Sequence, residues 1–400
     1  MAINMSLKQC VQRCVLAICW SATILFAAEP ELPKFEAQVI DAKIEIGYAT
    51  AIADVDGDGK PDILVVDKKQ IAWYHNPDWT KHVICENVTK QDNVCIAARD
   101  IDGSGKASIA IGAEWNPGDT VNSGSVHYLI PPADRTQKWE VVTLHHEPTV
   151  HRMKWVQAAD GKYRLVVVPL HGRGNKNAQG DGVKVLAYTM PANPKDEWKT
   201  EVVDDSMHIT HNFDPVEWNG QPGQEMVLGG KEGILLCERG TGAWKKTALI
   251  SAGEQGFNGA GEVRVGKGQG GTRFLATVEP FHGTQAAIYT PPAAGEKSWK
   301  RHVIETNLKD GHAVACADLL GTGSDQVLVG WRLPNGAGKV GINMYLQPDQ
   351  PDGEWKKVVV DDNTMACEDL VVGDLNGDGR LDFVASGRAT HNLVIYWNKK

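Results

Sequence analysis

The sequence predicts an all-β fold, a seven-bladed β-propeller with four strands in each blade. Three features support this prediction and recur seven times: an alternating apolar segment that ends at a Gly/Asp-rich turn, a second apolar run after the turn, and a later β-branched strand. Repeats of about 40–55 residues built from short strands are typical of propellers. In six copies a tryptophan begins the last strand, as in WTKHVI and WKRHVI: Trp79, Trp139, Trp198, Trp244, Trp299 and Trp355.

We name the strands of a blade A to D, from the innermost to the outermost. The first A–B hairpin reads YATAIADVDGDGKPDILVV, and six later segments alternate around a turn in the same way. The last blade ends at the C strand LVIYWN, so FEAQVI, which begins at Phe35, is expected to supply its D strand and close the ring. Insertions at 116–123 and 172–182 are expected to form loops at one end. C strands are predicted at 71–75, 126–130, 183–189, 286–289 and 340–346.

Composition and the first residues limit the possible functions. The chain has 400 residues and a net charge of −9, without the basic stripe that nucleic-acid binding needs. Lys8 and Arg13 precede the apolar run Val15–Ala28, which predicts a secretory signal peptide over 1–28, a single propeller domain over 29–400, and a secreted or periplasmic protein with no membrane contact after cleavage. An uncleaved anchor is the alternative, although the run is short for a membrane span.

Five cysteines follow the signal segment. They are odd in number, scattered, and set mostly in apolar strand patterns, which argues against a disulfide framework and a CxxC metal site. We expect small buried hydrophobic side chains. They are Cys85, Cys95, Cys237, Cys316 and Cys367.

Two A–B turns carry alternating carboxylates on a glycine-rich loop, DVDGDGKPD and DLNGDGRLD. Such turns can place several hard oxygens around Ca²⁺ or Mg²⁺. Hydrogen bonds within the turn are the alternative, and either role is structural rather than catalytic. The predicted ligands are Asp54, Asp56, Asp58 and Asp62 in blade 1, and Asp374, Asn376, Asp378 and Asp382 in blade 7.

The repeats with these turns resemble the FG-GAP/VCBS repeat family, whose propellers carry such loops at their A–B turns. Function is then expected at the opposite end. Strand A runs toward the acidic turn and strand B runs back, so residues before strand A and after strand B share that end. Six of the thirteen histidines fall there: His151, His171, His211, His282, His312 and His391.

These residues have the composition of a metal-assisted acid–base site for a sugar. His211, His282 and His312 come from adjacent blades and could hold Zn²⁺. His151, or as second choice His171, could move a proton. Any one of these histidines could instead be a loop residue with a structural role.

Other residues in the same windows complete the predicted site. Glu262 and Glu279 could assist the leaving group or complete the metal shell, and Trp115 and Trp331 could stack on a sugar ring. The remaining predicted substrate contacts are Arg152, Arg173, Lys231, Arg332, Arg388 and His391.

Five segments in these windows resemble the propeller of fungal aldos-2-ulose dehydratases: EPTVHRMKW (147–155), HNFDPVEW (211–218), GAGEVRV (259–265), VEPFHG (278–283) and DGHAVACADLLGTGSDQVLVGWR (310–332). The resemblance implies elimination of water from ketosugars such as 1,5-anhydrofructose, with zinc and a structural divalent ion.

The leading hypothesis is a secreted carbohydrate lyase or dehydratase acting on a small sugar or glycoside. The alternative is a non-catalytic glycan-binding or adhesion propeller, although a lectin would repeat its contacts blade by blade and these residues differ in every blade.

Overall fold

The computed structural model describes residues 32–239, 243–350 and 353–399, so the predicted signal peptide lies outside the described residues. Within them the chain forms 28 β-strands and two short 3-10 turns, Glu254–Gly256 and Gln269–Gly271. The strands make seven four-stranded antiparallel sheets, which confirms the predicted propeller. No helix in these ranges is long and apolar enough to span a membrane.

The strand bounds follow the repeat. The A strands are β2 (Ala49–Ala53), β6 (Cys95–Arg99), β10 (Val150–Gln157), β14 (Thr210–Val216), β18 (Glu262–Lys267), β22 (Gly311–Ala317) and β26 (Cys367–Gly373). The B strands are β3 (Asp62–Val66), β7 (Ser108–Ala113), β11 (Tyr163–Pro169), β15 (Glu225–Gly230), β19 (Arg273–Glu279), β23 (Gln326–Trp331) and β27 (Asp382–Gly387). The C strands are β4 (Gln70–His75), β8 (Ser125–Ile130), β12 (Val185–Thr189), β16 (Gly233–Arg239), β20 (Gln285–Thr290), β24 (Gly341–Leu346) and β28 (Asn392–Asn398). The D strands are β5 (Thr80–Glu86), β9 (Glu140–Leu144), β13 (Lys199–Asp204), β17 (Trp244–Ser251), β21 (Lys300–Glu305), β25 (Lys356–Asp362) and β1 (Phe35–Asp41).

The seven A strands form a ring around a central channel. Each packs beside the A strands of its two neighbouring blades, and β26 packs beside β2. The N-terminal strand β1 pairs antiparallel with β28, with Phe35 opposite Asn398, so the seventh sheet combines both ends of the described chain. All A strands therefore begin at the same end of the channel.

Apolar side chains between the blades form the core. Trp198, just before β13, lies 5.3 Å from the Tyr128 ring of the preceding blade and 6.3 Å from Trp155. A buried tryptophan contributes a large apolar area, so this recurring position holds neighbouring blades together. The five described cysteines form no disulfide, and four are buried while Cys316 is half-buried, which agrees with the expected small hydrophobic side chains.

A polar contact also joins neighbouring blades. An acidic residue at the end of one D strand accepts a hydrogen bond from a tyrosine on the next blade's C strand, an arrangement we call the inter-blade clasp. Tyr345 Oη donates to Glu305 Oε2 at 2.8 Å, and Lys357 Nζ lies 3.0 Å from the same oxygen. Tyr74 and Tyr396 donate to Asp41 and Asp361 at 2.6 and 2.8 Å.

The D strand is irregular close to this acidic residue. In six of the seven sheets the C–D register shifts so that one D-strand residue has no partner. Such bulges bend a strand and redirect the side chains that follow. The unpaired residues are Ile40, Ile84, Val203, Leu249, Ile304 and Val360.

The inter-blade clasp predicts a measurable loss of stability in Tyr345→Phe. Glu305 would lose a buried hydrogen bond while keeping Lys357, so we expect unfolding to become easier by about 1 kcal/mol in denaturant titration. Tyr128→Phe is the matched control, because Tyr128 Oη makes only a 3.5 Å contact with Ser108. Equal effects of the two substitutions would contradict a specific role for the clasp.

Candidate active site

Three histidines lie at the same structural position in three blades. His151, His211 and His312 are the second residues of β10, β14 and β22, and the A–B register shifts at each of them. Glu368 holds the same position in β26. Bulged residues have no partner in the ladder, so their side chains can leave the strand's regular alternation. These bulges place side chains from four blades at one end of the channel.

The imidazole rings meet there. His211 Nε2 lies 2.6 Å from Nε2 of His282 and 3.2 Å from Nε2 of His151. His211, His282 and His312 each offer a ring nitrogen within 4.8 Å of the others. His282 comes from the loop after β19. The structure thus brings together the three residues expected as metal ligands, with the expected base beside them.

Burial keeps these rings neutral. His151, His211 and His312 are only 4%, 2% and 4% exposed, and burial lowers the pKa of each well below 6.5, with help from nearby arginines and histidines. Burial and then Arg332 lower the pKa of His282 to about 3. A neutral imidazole is the form that binds a metal or accepts a proton. The His282 side chain is 32% exposed, so solvent and ligands reach the cluster from its side.

The hydrogen-bond partners of the rings suit a divalent cation. His312 Nδ1 donates to the main-chain carbonyl of Glu368, which leaves its Nε2 lone pair free. His282 Nδ1 accepts from Arg332 Nη2 at 3.0 Å and lies 3.5 Å from Asp310 Oδ1, so this carboxylate would support a metal-bound His282 once Nδ1 carries the ring proton. Lone pairs on two nitrogens only 2.6 Å apart repel unless a proton or cation lies between them. Imidazole donors are typical of Zn²⁺ sites.

Glu262 lies behind His211. The His211 Nδ1 atom and Glu262 Oε1 are buried without a hydrogen-bond partner among the described residues, 3.6 Å apart. The other oxygen of Glu262 accepts from Asn212 Nδ2 at 2.7 Å and pairs with Arg264 Nη2 at 3.1 Å. Burial raises the pKa of Glu262. Small rotations would let this carboxyl group support His211.

Arg332 is a scaffold residue in this structure rather than a free substrate contact. Its Nε and Nη2 donate to the two oxygens of Asp310 at 3.0 Å each, and its Nη1 donates to Glu368 Oε2 at 3.0 Å. Its Nη2 also lies 3.0 Å from His282 Nδ1. Arg388, another expected substrate contact, donates to Glu368 Oε1 at 2.9 Å. Both arginines are therefore already paired with carboxylates.

Trp115 and Arg152 contact the expected base. The Trp115 indole stacks on the His151 ring with centroids 4.7 Å apart and planes 19° apart. Arg152 Nη1 donates to the His151 carbonyl at 3.0 Å and lies 3.3 Å from its Nδ1. Both contacts fix the orientation of the imidazole, and the stacked indole face is closed to a sugar.

Two predicted site residues lie apart from the histidines. Glu279 is buried and accepts from Tyr289 Oη and Arg301 Nη2 at 2.7 Å each, toward the outer strands of blade 5. Trp331 is 5% exposed within the apolar core, and its Nε1 donates to the Lys339 carbonyl at 2.8 Å. It lacks the open face that stacking on a sugar requires.

The remaining predicted site residues lie at the same end of the propeller but form no hydrogen bond with the clustered histidines in the described part of the chain. His171 is half-buried and makes no hydrogen bond or ring contact with the four clustered histidines within the described ranges. Arg173 Nη2 pairs with Glu147 Oε2 at 3.3 Å. Lys231 and His391 are exposed, and His391 Nδ1 donates to the Glu45 carbonyl at 2.9 Å.

Sequence reasoning missed Asp310, which holds Arg332 and faces His282. The available signal was its position two residues before His312, inside the window that precedes strand A. It also missed His75 at the other end of the propeller, whose Nε2 lies 3.5 Å from Asp56 Oδ2. His75 ends a C strand, a position that the hairpin argument did not consider.

The acidic turn of blade 1 is well ordered by its own hydrogen bonds. Asp54 accepts from the amides of Gly57 and Gly59 at 2.6 and 2.9 Å, and both glycines have positive φ, which they adopt without strain. Oxygens of Asp54, Asp56 and Asp62 lie within 4.8 Å of one another, an arrangement compatible with Ca²⁺. Asp58 lies beside them, with its Oδ2 2.9 Å from Lys60 Nζ.

The acidic turn of blade 7 uses the same hydrogen bonds. Asp374 accepts from Gly377 and Gly379 at 2.8 and 2.9 Å, and Asp382 accepts from Leu375 and Asn398. Asp378 pairs with Arg380 and with the Asn376 amide. Among the described residues, this turn brings no three carboxylates as close as those of blade 1. Internal hydrogen bonds suffice to explain its shape.

Comparisons with known proteins support the expected resemblance. Residues 123–292 match the family model described as the β-propeller domain of aldos-2-ulose dehydratase, and residues 54–111 match the FG-GAP-like repeat. The chain is 26% identical to the aldos-2-ulose dehydratase of Phanerodontia chrysosporium over 265 residues, which is 59% of this chain and 29% of that enzyme. The chain therefore matches less than a third of the enzyme's length.

Solved structures agree on the fold alone. A chain from the crystal structure of BBS1N in complex with ARL6DN has a TM-score of 0.55 and 15% identity, covering 92% of this chain and 97% of that one. A chain of the mitotic checkpoint complex has a TM-score of 0.56 and 10% identity, covering 96% of this chain and 98% of that one.

The carboxylates of blade 1 predict calcium-dependent stability. We expect added Ca²⁺ to raise the melting temperature of the wild type and to raise that of Asp56→Asn less, because the substitution removes one anionic oxygen ligand. Thermal unfolding followed by circular dichroism measures both shifts. Asp349→Asn, at an exposed position away from the turn, is the control. An equal response of all three proteins would rule out calcium at this turn.

Proposed function

We propose that this chain is a secreted carbohydrate lyase or dehydratase that performs metal-assisted β-elimination on a small keto-sugar or oxidised glycoside. The observation that carries the proposal is the meeting of four imidazole rings at one end of the channel. Three of them, His151, His211 and His282, lie within the segment that matches the dehydratase propeller model. In the proposal, the N-terminal segment directs secretion and the acidic turns hold structural Ca²⁺ or Mg²⁺.

His211, His282 and His312 are the proposed Zn²⁺ ligands. A bound divalent cation would supply Lewis acidity, which stabilises negative charge on a carbonyl oxygen. The protein's part is orientation. The Glu368 carbonyl fixes His312, while Asp310 and Arg332 hold His282. Glu262 is the proposed support of His211, at 3.6 Å.

His151 is the proposed base. Its low pKa leaves the ring neutral at pH 7, so it can accept the proton from the carbon next to a carbonyl. The C–H electron pair then forms the enolate, and its collapse expels the hydroxyl group on the β carbon, which leaves as water with the proton that His151 carries. Trp115 and Arg152 keep the ring in place during this transfer.

Substrate would approach from the His282 side, since the other three rings are almost fully buried. Lys231 is exposed at the loop after β15, and Arg173 lies on the loop after β11. Lys231 is therefore the better candidate for contacts with sugar oxygens than Arg332 or Arg388, which are paired with carboxylates. Arg173 is also paired, with Glu147, but its side chain is more exposed than that of either arginine.

The proposed metal site predicts zinc binding with one high-affinity ion at the cluster. The double substitution His211→Ala, His312→Ala should weaken it more than about 100-fold, because loss of an outer partner alone costs about 10- to 100-fold. Asp310→Asn should weaken zinc binding by about 10- to 100-fold, because it removes such an outer partner. Competition with a chromophoric chelator gives the affinities, and His391→Ala is the control. Unchanged zinc affinity in a folded double variant would refute these ligands.

The proposed chemistry predicts an unsaturated ketone from an aldos-2-ulose or from 1,5-anhydrofructose, followed by ultraviolet absorbance. His151→Gln should lower kcat by about 10²- to 10⁴-fold, the usual contribution of a general base, while zinc binding persists. His171→Gln tests the second choice. Full activity in both variants would exclude both bases. Saturable sugar binding without any product would instead indicate a glycan-binding propeller.

A further inference from the structure

The central channel holds a cavity that adjoins the histidine cluster through Arg152. Its volume is about 450 Å³, in the range of small-molecule sites, and A strands of all seven blades line it. None of the four clustered histidines is among its lining residues. The lining includes Ile52, Arg99 and Val372 near the ends of their strands, and Arg99 is exposed. The cavity thus extends toward the acidic-turn end.

Charge is distributed unevenly around this cavity. Arg152 and Lys154 come from blade 3 and Arg264 from blade 5, whereas blades 1, 2 and 6 contribute mainly small or apolar side chains such as Ala51 and Ala315. Arg99 adds a fourth cation at the far end. Two carboxylates line the cavity, Asp214 and Asp369. The lining cations outnumber the lining carboxylates although the chain's net charge is −9.

The two half-buried arginines share one carboxylate. Glu262 lies 3.1 Å from Arg264 Nη2 and 3.8 Å from Arg152 Nη2. Each guanidinium has five N–H donors, and the remaining protein partners are the carbonyls of Val263 and His151 together with His151 Nδ1. Several donors on each arginine therefore have no partner among the described residues.

The lining carboxylates do not supply the missing acceptors. Asp369 accepts from the amide and hydroxyl of Thr50 at 2.7 and 3.0 Å. Asp214 accepts from the Val265 amide at 3.0 Å and pairs with Lys154 Nζ at 3.3 Å. Burial, followed by repulsion from Arg264, lowers the pKa of Lys154 to about 8, while Asp214 acts in the opposite direction.

We infer that the central channel binds a small anionic ligand, whose carboxylate or phosphate group is held between Lys154, Arg152 and Arg264. Arginine forks and a lysine ammonium are the donors that oxyanions prefer. The site shares Arg152 with the support of His151 but uses neither the proposed zinc ligands nor the acidic turns, so it goes beyond the proposed reaction.

Calorimetric titration of the full chain tests this inference, with inorganic phosphate and gluconate as separate probes at constant ionic strength in chloride. We expect one of them to bind with one-to-one stoichiometry. Lys154→Met should weaken that binding at least about 10-fold, because a charge-assisted hydrogen bond is lost. Lys154→Arg keeps the charge and should retain most of the affinity. Lys162→Met, which removes an exposed charge from the same blade, should change nothing.

The outcomes are distinct. Binding of phosphate alone assigns a phosphate group, and binding of gluconate alone assigns a carboxylate. The His211→Ala, His312→Ala variant should still bind the anion, so loss of zinc and loss of the anion site are separable. No binding of either probe at millimolar concentration, or equal affinity in folded Lys154→Met and Lys162→Met, would overturn the inference.

Discussion

The structure depends on one geometric constraint: seven innermost strands start at the same end of one narrow channel. Side chains near those starts are largely buried, so the groups that meet there must be neutral or paired with an opposite charge. Imidazole can do so because it becomes neutral at modest cost. Four histidine rings within a few ångströms of one another are therefore compatible with the fold, whereas four ammonium groups would not be.

The charges around this cluster are arranged to support it. Arg332 and Arg388 both pair with Glu368, which is almost completely buried, and Asp310 completes the partners of Arg332. Burying such groups is costly unless each is paired, so the network has few alternative arrangements. This charge network therefore makes the histidine cluster rigid. His282, the most exposed ring of the cluster, is held through Arg332 although its own loop lies at the surface.

The sequence repeat predicted the fold. It also predicted which end of the propeller carries the candidate site. Strand direction alone put His151, His211, His282 and His312 at one end. The direction of individual side chains was not predictable, because the bulges at His151, His211 and His312 interrupt the alternation on which such a prediction relies.

The unpredictable direction of individual side chains also explains why two predicted site residues lie away from the histidine cluster. Glu279 and Trp331 end their B strands β19 and β23 within the correct windows, yet both are buried among outer-strand or core partners. A shift of one residue along a strand reverses the face of a side chain. Asp310 lies in the loop before β22, where apolar and polar residues do not alternate. No sequence pattern therefore indicated that it would pair with Arg332.

The bulge near the end of the D strand has a consequence beyond the clasp that follows it. The D strands are the outer edges of seven sheets, and each edge offers unpaired amides and carbonyls to other chains. Exposed edges of this kind are templates for aggregation unless something disrupts them. An unpaired residue in six of the seven D strands breaks the straight ladder that an incoming strand would need. The irregularity that orients the inter-blade acids thus also protects the rim of the propeller from edge-to-edge association.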